Sequence, residues 1–129
     1  MKTAVLIMRI LLGLIFVIFG LNGFLLFISP PEHTPAGDAF INLLVSTRFM
    51  YVEKSLEILG GALLLLNLYV PLALAILAPI VFSILLFHLL MERNTVVIGV
   101  TPFLLWLFLA WAFRSQFAPL LVRRAEPEW

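Results

Sequence analysis

Residues 3–28 read TAVLIMRILLGLIFVIFGLNGFLLFI, an apolar run that only Arg9 and Asn22 interrupt. A helix needs roughly 20 apolar residues to cross the hydrocarbon core of a bilayer. Such runs are continuous rather than alternating, which favours helices over the strands of a membrane β-barrel. The pattern predicts an all-α fold, a four-helix transmembrane bundle that forms one membrane domain over residues 1–129. Its other three spans are expected at about 49–68, 71–91 and 96–113.

The composition agrees with this prediction, since 64% of the 129 residues are hydrophobic and only 12% are charged. A soluble domain is about half apolar, and a small one leaves much of its surface in water. The net charge of +1 lacks the basic field of a nucleic-acid-binding protein. Cysteine is absent and only two histidines are present, so neither a metal site nor another cofactor is expected. The expected partner is therefore the lipid bilayer, and no binding of nucleic acid is expected.

The one long connection, residues 29–48, predicts a short amphipathic helix between the first two spans. Three prolines, the last of them Pro35, open this segment and resist helix formation. Asp38 can then serve as the N-cap of a helix over about 39–47, where apolar side chains recur at helical spacing. This helix is expected to lie in the membrane interface as a lid over the bundle. His33, ahead of it, is expected to be solvated.

Lysine and arginine flanks predict the orientation of a membrane protein. With four spans both termini lie on one side, and five of the eight basic residues belong to that side: Lys2, Arg9, Arg114, Arg123 and Arg124. The other side carries Arg48, Lys54 and Arg93. This excess predicts that both termini are cytoplasmic.

The second span carries its charges on the same stripe as its glycines. Glu53 and Glu57 share one helix face, and that face continues to Gly60 and Gly61. Because small residues mark close helix contacts in membranes, this stripe is predicted to face the bundle.

The first span has a similar stripe. Gly13 and Gly20 share it with Arg9 and are predicted to pack against another helix. Arg9 is interpreted in two ways that the sequence leaves open. It either anchors the cytoplasmic interface or binds backbone carbonyl groups of a neighbouring helix.

Helix rise and alternating helix direction bring Asn22, Glu53, Glu57 and His88 to one layer of the outer leaflet. Ionisable groups are costly inside a membrane, so this layer is the candidate ligand-binding site. Contact between Glu57 and His88 is a hypothesis, and the two side chains can equally serve a structural hydrogen bond between helices. Glu53 and Lys54 can instead extend toward the interface. Asn22 can simply bond to a neighbouring helix.

The polar and glycine pattern resembles that of DoxX-like membrane proteins. Residues 9–24, RILLGLIFVIFGLNGF, are similar to the opening helix of that family, and residues 57–61, EILGG, and Phe87-His88 continue the resemblance over nearly the whole chain. It implies a compact four-helix bundle of a prokaryotic inner membrane, usually of unassigned activity. The name of that family derives from a terminal-oxidase and thiosulfate–quinone oxidoreductase context in archaea. Some of its members are linked to oxidative-stress complexes or act as assembly factors for other membrane proteins. The resemblance implies signature positions at Arg9, Gly13, Gly20, Glu57, Gly60, Gly61 and His88.

Two functions are consistent with these patterns. The first is a non-catalytic accessory or assembly component of a larger membrane complex, such as a respiratory one, bound to other membrane protein subunits. The second is an oxidoreductase-associated module that binds a quinone, a lipid or another small amphiphile at Glu57 and His88. No residue is singled out as catalytic. A transporter or channel is less favoured, because four spans form a pore only after oligomerisation.

Overall fold

The computed structural model describes all residues 1–129 and is all-helical, with 80% of residues in helices and no strands. The all-α prediction is confirmed. There are six α-helices: α1 (Lys2–Leu25), α2 (Pro35–Ser46), α3 (Phe49–Leu66), α4 (Val70–Leu90), α5 (Val96–Ala112) and α6 (Arg114–Phe117). Short 3₁₀ helices at Arg93–Thr95 and Ala118–Leu121 precede α5 and follow α6.

Three helical segments are long and apolar enough to cross a membrane, judged by length and composition. They are α1, α4 and the segment Arg93–Ala112, which combines the 3₁₀ helix with α5. The fourth long helix, α3, has 18 residues and carries three charged side chains, and it is not among the three.

The four long helices pack in a ring in the order α1, α3, α4, α5, and α5 closes the ring against α1. Gly13 lies beside Gly61, whereas Gly20 lies beside Ile58, so α1 and α3 run antiparallel. Ten buried hydrophobic side chains fill the centre of the ring, among them Leu12, Phe16, Leu64, Leu74, Leu77 and Leu109.

The outer surface of the ring is as apolar as its core, and four ionisable side chains are buried. Large hydrophobic side chains are exposed on all four long helices, while Arg9, Glu57, His88 and Glu92 are buried. In water, charged residues are almost never fully buried unless they are paired. An apolar outer surface of this extent marks contact with lipid or with other apolar surfaces.

Helix α2 begins earlier than predicted, at Pro35 instead of residue 39. Thr34 is its N-cap, and the Thr34 hydroxyl oxygen accepts a hydrogen bond from the Gly37 amide at 3.1 Å. The prediction that Asp38 is the N-cap was wrong, because proline is well suited to the first helical position, where an N–H has no partner anyway. Asp38 lies in the first turn, where its charge interacts favourably with the helix dipole.

Helix α1 ends at Leu25, three residues before the predicted end at Ile28. Leu26 takes a left-handed conformation with φ 54°, and its amide donates to the Asn22 carbonyl. The Asn22 side-chain oxygen accepts a hydrogen bond from the Ile28 amide at 2.7 Å. This local bond gives the backbone an alternative to continuing the helix.

Candidate functional site

A cavity of about 270 Å³ lies where α2 crosses the end of the ring, and residues of α1 to α5 line it. Eleven of its seventeen lining residues are hydrophobic. The others are Glu53, Lys54, Glu57, Ser83, His88 and Pro102. A dry cavity of roughly 150 Å³ is enough to hold benzene. The volume therefore suits a substituted ring or a lipid head group rather than a whole lipid.

Helix α2 forms the outer wall of this cavity. Its side chains Phe40, Ile41 and Leu44 line the space, and the Phe40 ring lies 5.5 Å from the Phe87 ring of α4. A ligand deep in the cavity would therefore be covered by α2.

Glu57 is the most buried charged group that lines the cavity, with 1% of its surface exposed. The Lys54 ammonium nitrogen lies 3.0 Å from Oε2 of Glu57, one helical turn away. Oε2 is itself buried, and the ammonium group of Lys54 compensates its charge as an ion pair. A buried carboxylate needs such a partner, because an unpaired charge away from water is costly.

His88 reaches the cavity from α4 and is also buried. Its Nδ1 lies 3.1 Å from the Thr95 hydroxyl oxygen, just before α5 begins. Gly99 of α5 packs on the ring, since a Cβ at that position would lie 2.9 Å from Cδ2 of His88. The imidazole is thus fixed by one polar contact and by close approach of the α5 backbone.

Glu57 and His88, two of the predicted site residues, line one cavity but are not bonded to each other. Glu57 pairs with Lys54 and His88 with Thr95, and no hydrogen bond or ion pair joins Glu57 to His88. The structure therefore does not show the bond that the hypothesis of contact between Glu57 and His88 requires. Instead, two independently held polar groups on α3 and α4 line the same cavity, and Ser83 lines it too.

The other two predicted site residues differ in their placement. Glu53 is half-buried and lines the cavity beside Glu57. Asn22 does not line it, because its side chain is used in the turn after α1. Lys54, expected only to extend toward the interface, lines the cavity and packs against Gly23 of α1.

Sequence reasoning missed Glu92, which has 1% of its surface exposed. Its Oε1 accepts a hydrogen bond from the Thr34 amide at 2.6 Å. The Thr34 hydroxyl lies 2.9 Å from the same oxygen and 2.7 Å from the Met91 carbonyl oxygen, and it can donate its one proton to either. Gly37 leaves room for the carboxylate, which a Cβ there would displace.

These four residues, Thr34, Gly37, Met91 and Glu92, are called the α2 clasp below. The clasp ties the start of α2 to the end of α4. Fifty-eight residues separate Thr34 from Glu92, and no local spacing pairs them. The one available signal was a lone glutamate in a short polar break between two apolar runs.

His33 contributes to the same corner of the molecule. Its Nδ1 lies 3.4 Å from Oδ1 of Asp38, and its ring meets Phe87 edge-on at 6.3 Å. Only 19% of the His33 side chain is exposed. The expectation that His33 is solvated was therefore wrong, because α2 folds back and places it against α4.

Arg9 lies at the opposite end of the ring, where α1 begins and α3 ends. It is buried, and its Nη1 donates to the Leu64 carbonyl and, at 3.4 Å, to the Leu65 carbonyl. Of the two interpretations, the carbonyl-binding one matches this geometry. A cation at the C-terminus of a helix also interacts favourably with the helix dipole.

The four glycines predicted to pack lie at two different helix contacts. Cβ atoms at Gly13, Gly20 and Gly61 would meet backbone atoms across the α1–α3 contact at 2.8–3.2 Å. A Cβ at Gly60 would instead meet the side chain of Leu77 on α4. The first contact is thus a close approach of two backbones, and the second is side-chain packing.

No three His, Asp or Glu side chains are placed to hold a metal ion. Comparison of the chain with protein-family models, with curated proteins and with solved structures finds no match. The site consists of an apolar, aromatic-walled cavity with a buried carboxylate that is ion-paired with Lys54, and with the imidazole of His88.

Proposed function

We propose that this chain is an integral membrane protein that binds a small amphiphile, such as a quinone or a lipid head group, in the cavity between Glu57 and His88. The observation that carries the proposal is the cavity itself. It has an apolar wall, a polar end formed by groups on α3 and α4, and a cover formed by α2. Most binding sites for small molecules combine a mainly apolar lining with a few oriented polar groups.

The proposal includes membrane crossing by all four long helices, in a DoxX-like bundle with both termini cytoplasmic. The charges of α3 do not oppose this, because Glu53, Lys54 and Glu57 all line the cavity. The outer face of α3 presents exposed apolar side chains, among them Val52, Leu56 and Leu59. A helix with its charges turned inward and its apolar face turned outward suits a lipid environment.

The test uses substitutions that fill or neutralise the cavity in the full-length protein, purified in a mild detergent. Ile41→Trp places a large ring in the cavity, whereas Leu43→Trp adds the same ring to an exposed position on the same helix. Mass spectrometry of co-purified lipids and quinones, and titration with a short-chain quinone, measure occupancy. We expect Ile41→Trp to lose the bound amphiphile and Leu43→Trp to retain it.

The polar end of the cavity is tested separately with Glu57→Gln and His88→Ala. Each should weaken amphiphile binding while the protein remains folded. Unchanged lipid and quinone co-purification in Ile41→Trp, Glu57→Gln and His88→Ala would contradict the proposed site.

We also propose, as the second function, an accessory or assembly role in a larger membrane complex of the prokaryotic inner membrane. The supporting observation is an apolar depression on the outer face of α5, formed by Leu104, Leu107, Phe108, Ala110 and Trp111. A depression of this kind suits packing of a helix from another subunit. Purification in mild detergent followed by mass spectrometry tests it, and a stable monomer without a co-purified protein would count against it.

A further inference from the structure

The charged side chains are distributed unequally between the two ends of the helix ring. The end covered by α2 carries five acidic and three basic residues, a net charge of −2. The end where α1 begins and α5 finishes carries five basic and two acidic residues, a net charge of +3, and four of the five basic residues are exposed. A surface of this sign attracts an anionic partner. The basic residues are Lys2, Arg9, Arg114, Arg123 and Arg124, and the acidic ones are Glu126 and Glu128.

A short apolar patch follows α5 at this positive end. Phe113 and Phe117 pack against the core, so the chain that follows α5 stays against the bundle. Beyond them, Leu120, Leu121 and Val122 are 76%, 84% and 57% exposed. An exposed apolar patch with a polar rim marks contact with a membrane or with another protein.

Arginines flank the patch on both sides along the chain. Arg114 precedes it and Arg123 and Arg124 follow it directly, and none of the three forms an ion pair within the protein. The Arg114 guanidinium lies 4.7 Å from the centre of the Trp111 ring, and its Nη1 donates to the Trp111 carbonyl oxygen at 2.9 Å. Arginine has five N–H donors, and phosphate oxygens accept them in pairs. All three arginines therefore keep donors for phosphate groups.

We propose that residues 118–124 form an interfacial anchor, in which Leu120, Leu121 and Val122 enter the acyl region of the bilayer and Arg123 and Arg124 bind the head groups of anionic phospholipids. Interfacial segments combine these two contributions, apolar burial and attraction of basic residues to anionic lipids. A stable protein interface takes roughly 20–30 residues from each side, far more than this patch provides. The inference goes beyond the cavity and rests on the proposed membrane crossing alone.

Trp111 supports the depth of this anchor. Its ring is half-exposed near the end of α5, and tryptophan is enriched where hydrocarbon meets the head groups. The guanidinium of Arg114 covers the ring three residues later, at the point where the apolar span ends. Residues 118–124 follow within a few residues, so they lie near the head-group level of the same leaflet.

The first test measures which lipids remain bound to the full chain in nanodiscs that mix phosphatidylcholine with phosphatidylglycerol. Native mass spectrometry after ejection from the nanodisc gives the ratio of the two lipids among those retained. One arginine near an anionic surface adds roughly a fivefold preference, which corresponds to about 1 kcal/mol. The retained ratio should therefore favour phosphatidylglycerol at least roughly fivefold over the bulk ratio. The double variant Arg123→Gln/Arg124→Gln should return it toward the bulk ratio.

The double variant Arg48→Gln/Arg93→Gln is the matched control, because it removes two exposed cations from the opposite end of the ring. It should leave the retained ratio unchanged. High salt should lower the preference of the original protein, because salt screens exposed charges. Equal ratios in the original protein and in Arg123→Gln/Arg124→Gln would overturn the inference. Equal losses in the two double variants would overturn it as well, because the preference would then follow total charge.

The second test measures the depth of the apolar patch. The chain has no cysteine, so one engineered cysteine carries one fluorescent label. Leu121→Cys places the label in the patch, and Glu126→Cys places it beyond the arginines. In nanodiscs, a nitroxide-bearing lipid should quench the label at position 121 more strongly than aqueous iodide does, and the order should be reversed at position 126. Quenching at position 121 mainly by iodide would overturn the inference. Shielding from both quenchers would overturn it too, because a protein or a second copy would then cover the patch.

These outcomes are separate from those of the proposed function. If Ile41→Trp leaves amphiphile binding unchanged while phosphatidylglycerol is still preferred, the cavity proposal is overturned and the anchor stands. If the lipid preference is absent while Ile41→Trp blocks the amphiphile, only the anchor is overturned. A chain that inserts into no nanodisc would overturn both.

Discussion

The two ends of the helix ring are packed in opposite ways, because one end is filled and the other surrounds a cavity. At the end where α1 begins and α3 ends, called the closed end here, glycines bring α1 and α3 into backbone contact and Arg9 donates hydrogen bonds to two backbone carbonyl groups of α3. At the end covered by α2, called the hollow end, phenylalanines and charged side chains surround a cavity of about 270 Å³. The same helices thus form a filled core at one end and a cavity at the other.

The difference between the two ends separates polar groups that stabilise the packing of helices from polar groups that line a cavity. The buried cation of the closed end is bonded to the helix it packs against. In the hollow end, Glu57 is ion-paired with Lys54 of its own helix, and both side chains line the cavity. We therefore expect substitutions at the closed end to change stability, and substitutions lining the cavity to change binding.

The largest effect is expected for Gly61→Ala at the closed end. A Cβ at Gly61 would lie 2.8 Å from the Gly13 carbonyl oxygen and 2.9 Å from the Val17 amide nitrogen, and backbone atoms cannot move aside. Overpacking of this kind costs up to about 3 kcal/mol. The free energy of unfolding in detergent should fall by that amount.

Gly60→Ala is the matched control, because it adds the same methyl group one residue earlier. Its new Cβ would meet only the branched end of the Leu77 side chain, which can rotate. Alanine also gains roughly 1 kcal/mol of helix propensity over glycine. Gly60→Ala should thus be nearly neutral, and equal losses for the two variants would refute the backbone contact.

The second effect is expected for Arg9→Met, which keeps a long apolar stem and removes the guanidinium. Hydrogen bonds to charged groups contribute about 1.5–3 kcal/mol, so a loss of about 2 kcal/mol is expected. Arg9→Lys keeps the charge near the end of α3 but has a shorter reach, and its loss should be intermediate. The measurement is again unfolding in detergent. A role as a mere interface anchor predicts that Arg9→Lys equals the original protein.

Much of this comparison can be predicted from sequence because it depends on helical spacing. The apolar runs locate the long helices, and the shared stripe of Glu57, Gly60 and Gly61 predicts a face that the structure buries. The rise of a helix brings Glu57 and His88 to one level, and both line the cavity. These properties depend only on spacing along the chain, so they can be predicted directly from the sequence.

What sequence could not predict depends on contacts between distant segments. The α2 clasp joins Thr34 to Glu92, and the sequence near either residue contains nothing that selects the other. Asn22 has the right depth for the cavity, but its side chain bonds to a nearby amide instead. Depth along a helix was predictable, whereas the choice among available partners required the packed structure.

The third effect is expected at the hollow end and concerns its cover. Thr34→Val removes the hydroxyl group that caps α2 and contacts Glu92 and Met91, while the Thr34 amide remains bonded to Glu92. Losing a helix cap costs about 1 kcal/mol. The amides of residues 37–41 should exchange with solvent roughly fivefold faster, since a factor of ten corresponds to about 1.4 kcal/mol.

Thr47→Val at the other end of α2 is the control, because the Thr47 hydroxyl bonds only to carbonyl groups of its own helix. Its effect on exchange at residues 37–41 should be absent. Hydrogen exchange measured by mass spectrometry compares the two variants, and equal exchange in both would show that the clasp does not hold α2.

The smallest effect returns to the closed end and concerns Trp106. Its indole Nε1 donates to the Leu74 carbonyl oxygen at 2.8 Å. The next carbonyl along α4, that of Ala75, lacks an intrahelical donor because Pro79 has no N–H. Trp106→Phe should lower the free energy of unfolding by about 1 kcal/mol, the contribution of the bond from Nε1 to Leu74.

Trp111→Phe makes the same change at a half-exposed ring on the outer face of α5 and should leave the free energy of unfolding nearly unchanged. Neither variant should alter amphiphile binding, because neither tryptophan lines the cavity. A loss of binding in Trp106→Phe would mean that the two ends of the ring are coupled through α5.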